Sequence, residues 1–200
     1  FAGNPFLNAA AAQSPSFEHP PAVRSNLARL LGLLPDPEVV PHLAKALEDL
    51  HAREMARCSL EMSPSPQAEA ALAAALGAAG TEFRIGVLNS LGKRKARGAV
   101  PRIREAAADP LPEVRIAALY ALAGAGGVEE DALLERATRA EDLSERRAAH
   151  ICRLRLAAAL AARGERAAAL KICRAIAASG APQPQKMAAE SLLAQLSPAV

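Results

Sequence analysis

Aromatic side chains are scarce in this chain. Its 200 residues include four Phe, one Tyr and no Trp, although apolar residues make up 51% of the sequence. Much of that apolar share is alanine, so the core must consist of Leu, Ile, Val and Ala at close backbone approach. Strands favour aromatic and β-branched residues, whereas short helices stacked side by side suit this composition. The composition therefore predicts an all-helical protein.

Several classes of protein are excluded by what the sequence does not contain. The three cysteines, Cys58, Cys152 and Cys173, form no Cys-x-x-Cys pair, which argues against a disulfide framework or a zinc site. Whether Cys152 and Cys173 are bonded to each other stays open, and free cysteine beside alanine and leucine is usually a small buried residue. No apolar run reaches the ~18 residues that a membrane span needs. The chain begins without a basic flank and a continuous apolar stretch, so we expect any targeting segment to be absent or already removed.

Catalytic motifs are missing as well. The chain contains no Gly-x-Ser-x-Gly elbow, no phosphate-binding glycine loop ending in lysine and no His-Glu-x-x-His helix. The four histidines fall in four different predicted elements without the spacing of a metal pair. The adjacent acids Glu129, Glu130 and Asp131 splay around a helix, and we expect them to be solvated residues that favour its N-terminus. The sequence thus predicts no enzyme and no catalytic, metal-binding or cofactor-binding residue.

A helical unit recurs in the middle of the chain. The pair Phe83-Arg84 is repeated 31 residues later by Val114-Arg115, and apolar residues follow each pair at the i, i+4, i+8 spacing of one helix face. Between the two helices, Pro101 occupies the first turn of a second helix, where its missing N–H would have had no intrahelical partner. Each unit is therefore predicted to be helix, turn, helix.

The same pattern extends along the chain in both directions, with a period near 30 residues. Residues 1–20 are predicted to form an N-terminal arm, and residues 21–200 a single domain. Within it we predict five helical hairpins and a terminal helix, over residues 21–49, 50–80, 81–109, 111–140, 144–180 and 184–197.

These units resemble the HEAT repeat, in particular the short bacterial HEAT-like variety of the phycobilisome lyases. The resemblance rests on Val-Arg at the start of the first helix, Leu-Gly at its end, Ala-Val-Pro or Val-Val-Pro at the start of the second helix, and Asp-Pro before the next unit. It is strong over 81–124, good over 21–49 and weak over 50–79. After residue 144 it fades, and the fifth hairpin resembles a tetratricopeptide hairpin. The resemblance implies an all-α fold, an α-solenoid or armadillo-like superhelix.

The resemblance also implies roles for particular residues. In HEAT-like proteins an arginine of the first helix and an aspartate between repeats form a ladder that links neighbouring units. Carried over to this sequence, the structural ladder consists of Arg24, Arg53, Arg84, Arg115, Asp49 and Asp109. The central repeat is also similar to repeats of large exported bacterial proteins, which implies a module of a longer polypeptide and favours an exported or periplasmic location.

Basic residues are clustered between Phe83 and Arg104, where the sequence has seven cations and no acid. A basic turn of this kind can hold phosphate or an acidic partner. If these residues are only solvated, reversing the four cations of the turn should leave thermal stability nearly unchanged. The candidate partner-binding residues are Lys93, Arg94, Lys95, Arg97 and Arg102.

The favoured hypothesis is a non-catalytic scaffold whose second helices line a concave surface for a protein partner or a neighbouring domain of the same polypeptide. One alternative is a lyase-like accessory protein that holds a small ligand in its groove. The other is nucleic-acid binding through the basic patch from Lys93 to Arg104. The shortage of aromatic residues weighs against both alternatives.

Overall fold

A computed structural model of the chain describes residues 19–34, 36–78 and 80–197. The predicted N-terminal arm lies almost entirely outside these residues. The described residues form helices and turns and no strand, so the predicted all-α class is confirmed. The chain divides into two compact units, Phe1–Arg94 and Lys95–Val200, called unit 1 and unit 2 below.

Unit 1 contains five of the described helices. The first helices of successive repeats pack side by side, α1 on α3 and α3 on α5, while α4 packs against α2, α3 and α5. The largest fully buried side chains of its core are leucines and Phe83. The helices are α1 Pro21–Leu31, α2 Val39–Ala46, α3 Arg53–Met62, α4 Pro66–Ala74 and α5 Thr81–Arg94.

Unit 2 contains the other six described helices, arranged around the long helix α9. That helix packs on α7, α8 and α10, and α11 packs on α10. Leucine and isoleucine side chains fill the core together with Cys152 and Cys173, which are buried and free. The helices are α6 Val100–Ala106, α7 Pro112–Ala125, α8 Asp131–Ala137, α9 Leu143–Ala162, α10 Arg166–Ala178 and α11 Gln183–Leu196.

Local chemistry explains several helix ends. Pro66 opens α4 directly after Ser65, whose hydroxyl accepts a hydrogen bond from the backbone N–H of Gln67 at 3.3 Å. Asp142 caps α9 in the same way, because its carboxylate accepts from the N–H of Glu145 at 2.7 Å. Helix α9 is followed by Gly164, which has a φ of 83° that glycine adopts without steric cost.

Two of these helices fall in each predicted hairpin range and α11 falls in the terminal range, although α9 and α11 each begin one residue before the predicted range. The boundary between units 1 and 2 falls inside the range 81–109. The single domain predicted for residues 21–200 stays a prediction.

Candidate interaction surfaces

Arg94 lies in the last turn of α5, and its guanidinium caps the end of α3. Its Nη1 donates to the backbone oxygens of Leu60 at 2.8 Å and Glu61 at 3.0 Å, and to that of Ser63. Its Nη2 donates to the oxygen of Ser65 at 3.0 Å. Carbonyls at a helix C-terminus have no intrahelical partner, so these bonds stabilise unit 1. Arg94 is therefore not a merely solvated residue of the turn, and we expect reversing its charge to destabilise unit 1.

Lys93 belongs to a polar cluster that joins α5 to α3. Its ammonium lies 2.5 Å from Oε1 of Glu61, while the other oxygen of that carboxylate accepts from the Ser90 hydroxyl at 2.8 Å. Arg57 donates to the same hydroxyl at 2.7 Å. Burial raises the pKa of Glu61, but the hydrogen bonds from Lys93 and Ser90 outweigh it, and the pKa lies below its ordinary value. Lys93 thus has an intramolecular counter-ion.

The other three candidate partner-binding residues lie in unit 2. Lys95 and Arg97 are exposed, and Lys95 has a φ of 54°. Arg102 forms an exposed ion pair at 2.9 Å with Glu105, three residues further along the same helix. The binding role of the five residues stays a prediction, and Lys95 and Arg97 keep the accessibility that it requires.

The predicted ladder residues of unit 1 differ in their contacts. Arg24 and Asp49 are both buried, and Nη1 of the arginine lies 2.6 Å from a carboxylate oxygen of the aspartate. The guanidinium of Arg53 lies over the ring of Phe83, 4.7 Å from its centroid, an attractive cation–π arrangement. Arg84 is half-buried in α5.

In unit 2, Arg115 binds a carboxylate that the ladder does not include. Its Nη2 lies 2.6 Å from Glu145 at the start of α9. Its Nη1 donates to the backbone oxygens of Asp109 at 2.9 Å and Pro110 at 3.0 Å. The hydrogen bond to Glu145 raises the pKa of Arg115. The ladder as a complete set stays a prediction.

Two partly buried ion pairs of unit 2 were not predicted from the sequence. Glu130 is 1% exposed, and Nε of Arg104 donates to its two oxygens at 3.1 Å and 2.9 Å. Asp131 accepts from the buried Arg153 at 2.7 Å and 3.0 Å. The expectation that these two acids are merely solvated is wrong, because each has an arginine partner more than 20 residues away. No local spacing pattern connects such residues.

Each unit also has an open groove between the second helices of two successive repeats. The groove of unit 1 has a volume of about 500 Å³, and that of unit 2 about 440 Å³. Alanine dominates the lining of both. The first is lined by Ala44, Lys45, Leu47, Glu48, Ala71, Ala74, Ala75 and Ala78. The second is lined by Arg104, Ala107, Ala108, Leu119, Leu133, Arg136, Ala137, Ala140 and Glu145.

A further pocket of unit 1, of about 380 Å³, lies at the turns between first and second helices. Three prolines contribute to its wall. It is lined by Leu34, Asp36, Pro37, Ser63, Pro64, Ser65, Pro66 and Gln67. Within the described ranges, no three His, Cys, Asp or Glu side chains come together as a metal site would require.

Stacked helical hairpins whose cores run from one repeat to the next define the class of α-helical repeat proteins. Residues 68–152 match the family model described as HEAT repeats. This stretch of the chain therefore consists of HEAT repeats, and the HEAT-like repeat predicted from the sequence is confirmed there.

Solved structures that are similar to the chain include these two. One is the complex of CpcE and CpcF of phycocyanin lyase from Nostoc sp. PCC7120, with 24% identity, a TM-score of 0.46, and coverage of 96% of this chain and 83% of that chain. The other is an engineered protein, with 15% identity, a TM-score of 0.54, and coverage of 94% and 96%. The likeness to the engineered protein shows the fold alone. No curated protein matches the sequence.

Among the helices of the described residues, none combines the length and apolar character of a membrane span.

Proposed function

We propose that the chain is a non-catalytic HEAT-repeat scaffold that binds a protein partner, or a neighbouring domain of its own polypeptide, along its second helices. The observation that carries this proposal is the pair of alanine-lined grooves, one in unit 1 and one in unit 2. Repeat proteins of this class use surfaces built from equivalent helices of successive repeats for binding.

Alanine is well suited to such a surface. It has no side-chain rotamer entropy to lose when it becomes buried, and its small side chain lets a second backbone approach closely. Ala74 in unit 1 and Ala108 in unit 2 are exposed in the grooves. Burying apolar area of this kind contributes about 25 cal/mol per Å². A partner helix laid along either groove would therefore gain affinity chiefly from apolar contact.

The charged groups inside the units support a scaffold role. The Arg24–Asp49 pair joins α1 to the turn after α2 in unit 1, and the Arg153–Asp131 pair joins α9 to α8 in unit 2. Breaking a buried pair leaves one charge without compensation, which costs more than the pair contributes. These groups therefore hold successive helices in place.

The proposal is tested by filling each groove. Binders of the full chain are first selected from a displayed peptide library, and their dissociation constants are measured by fluorescence anisotropy. Ala74→Trp and Ala108→Trp place an indole in the groove of unit 1 and unit 2, respectively. The control is Ala158→Trp. Ala158 is an exposed residue of α9, the first helix of the fifth hairpin, and it lines neither groove.

We expect at least one groove substitution to weaken binding by about tenfold or more, the effect of losing at least about 1.4 kcal/mol of contact energy. The control should bind like the unmodified chain, and circular dichroism should show the same helix content for all variants. Binders that are insensitive to both groove substitutions would show that the proposed function is wrong.

A further inference from the structure

Arg136 is an exposed cation on the wall of the unit 2 groove. Within the described part of the chain, no ion pair joins it to a carboxylate. Its neighbour in sequence, Glu135, lies 4.0 Å from Arg139 and 3.9 Å from Arg153. The positive charge of Arg136 is therefore uncompensated at the groove.

The acids beside this groove are already paired. Glu130 is bound by Arg104, and Glu145 by Arg115. Glu129 is also near Arg104, at 3.9 Å. None of these carboxylates lies within ion-pair distance of Arg136. The lining itself contains two cations, Arg104 and Arg136, and one acid, Glu145, so it has a net positive charge that Glu129 and Glu130 offset on the Arg104 side.

Arg104 contributes a second donor on the opposite wall. Its Nε and Nη2 atoms bind Glu130, whereas its Nη1 makes no hydrogen bond to another described residue. The side chain is 44% exposed. Two nitrogens of this guanidinium thus bind Glu130, and the third, Nη1, can donate to a ligand. Arginine N–H groups of this kind form strong, charge-assisted hydrogen bonds to carboxylates.

The floor between the two arginines is apolar. Leu119 is buried, and Leu133, Ala107 and Ala137 are half-buried in the groove. From these contacts we infer that the unit 2 groove binds an acidic amphipathic helix, with its apolar stripe on the floor and its Asp or Glu side chains against Arg136 and Arg104. This inference rests on the proposed function and names the partner chemistry for one of its two grooves.

The groove of unit 1 provides an internal comparison. Its charged lining residues are Lys45 and Glu48, one of each sign, so it carries no net charge. A helix bound there would gain no advantage from being acidic. The two grooves are therefore expected to differ in the charge of the helices that they select.

The same cations would attract nucleic acid, but the floor argues against it. Single strands gain much of their affinity from bases stacked on aromatic rings, and the groove lining contains no aromatic side chain. Leucine and alanine would gain little from a phosphate backbone. An amphipathic helix matches both parts of the groove, because its apolar face can pack on the floor and its acidic side chains can reach the arginines of the walls.

The experiment uses the full chain and peptides selected on it from a library without charge bias. We expect a class of binders with apolar residues at i, i+3 or i+4 and with Asp or Glu beside them. Ala108→Trp should abolish their binding, and Arg136→Glu should weaken it about tenfold, because reversing one charge at a contact changes affinity by that order. Replacing the acidic residues of the peptide by lysine should restore binding to the Arg136→Glu variant. The matched control is Arg139→Glu, since Arg139 lies in the turn directly after α8, is 80% exposed and does not line the groove.

The outcomes separate this inference from the proposed function. If Ala108→Trp abolishes binding but the binders are not acidic, or if Arg136→Glu has no more effect than Arg139→Glu, the inference is wrong and the scaffold function stands. If neither groove substitution affects any binder, both are wrong. If a DNA or RNA oligonucleotide binds in an Arg136-dependent way and displaces the acidic peptide, nucleic acid is the occupant and the inference is overturned.

Discussion

Replacing Arg94 by alanine removes the guanidinium that binds three backbone carbonyls at the end of α3 and that of Ser65, the residue before α4. A typical intramolecular hydrogen bond contributes a net of about 0.5–1.5 kcal/mol. Because Arg94 is half-buried, water can rehydrate the released carbonyls, which places each bond near the lower end. We therefore expect a loss of about 2–3 kcal/mol in the free energy of unfolding. Arg94→Lys should lose part of this amount, since an ammonium cannot reproduce the planar fork of donors.

Urea unfolding followed by circular dichroism measures the loss, and hydrogen exchange of the α3 amides shows whether it is local to unit 1. The control is Arg97→Ala, because Arg97 is exposed in the turn that precedes α6, where substitutions usually change stability by less than about 0.5 kcal/mol. Equal losses for the two variants would refute the capping role of Arg94.

Four further results are expected. Leu122→Ala should cost about 2–5 kcal/mol of unfolding free energy in urea denaturation, because Leu122 is fully buried; a loss below about 0.5 kcal/mol would contradict the assigned helix face. Burial raises the pKa of Cys152 to about 12, so iodoacetamide at neutral pH should alkylate the exposed Cys58 and leave Cys152 intact by mass spectrometry of the native chain. The pKa of Glu61 is lower in the folded chain than its ordinary value of 4.5, so the ionised carboxylate stabilises the fold above pH 4.5. This stabilisation is lost as the pH falls from 4.5 through the lower pKa of the folded chain. Glu61→Gln should therefore reduce the loss of stability at acidic pH in a series of unfolding measurements. Lys95→Gly should raise the melting temperature, because φ at Lys95 is 54° and glycine adopts that conformation without strain.

Helical periodicity was sufficient to predict the repeated units and much of their core. Phe83, Val87 and Leu91 lie on one face of α5 and are fully buried, as the i, i+4, i+8 spacing predicts. Such positions follow from sequence because a helix face repeats locally and the neighbouring repeat buries it. Pro101 likewise lies in the first turn of α6, where the repeat pattern placed it.

The roles of Lys93 and Arg94 were not predictable in this way. The Leu-Gly pair at Leu91 and Gly92 predicts the end of a helix, but α5 continues to Arg94, and the chain turns at Lys95. Lys93 and Arg94 thus form the last turn of α5, and their side chains contact α3, about 30 residues earlier in the chain. A local sequence pattern locates the end of a helix only to within one or two residues. It also does not show which carbonyls of a distant helix the last side chains will contact.

The acidic residues that cluster in the sequence between residues 129 and 145 have partners that only the folded structure reveals. The acidic band from residue 129 to 145 looks like a solvated surface, yet Glu130, Asp131 and Glu145 each accept hydrogen bonds from an arginine of another helix. The conspicuous charges are thus used to join repeats. Arg136 lies within that acidic band and does not stand out in the sequence, but it is the cation that faces the groove without a carboxylate partner among the described residues. The binding role that we propose for Arg136 therefore rests on its position in space, where the nearby acids contact other arginines, and not on a pattern in the sequence.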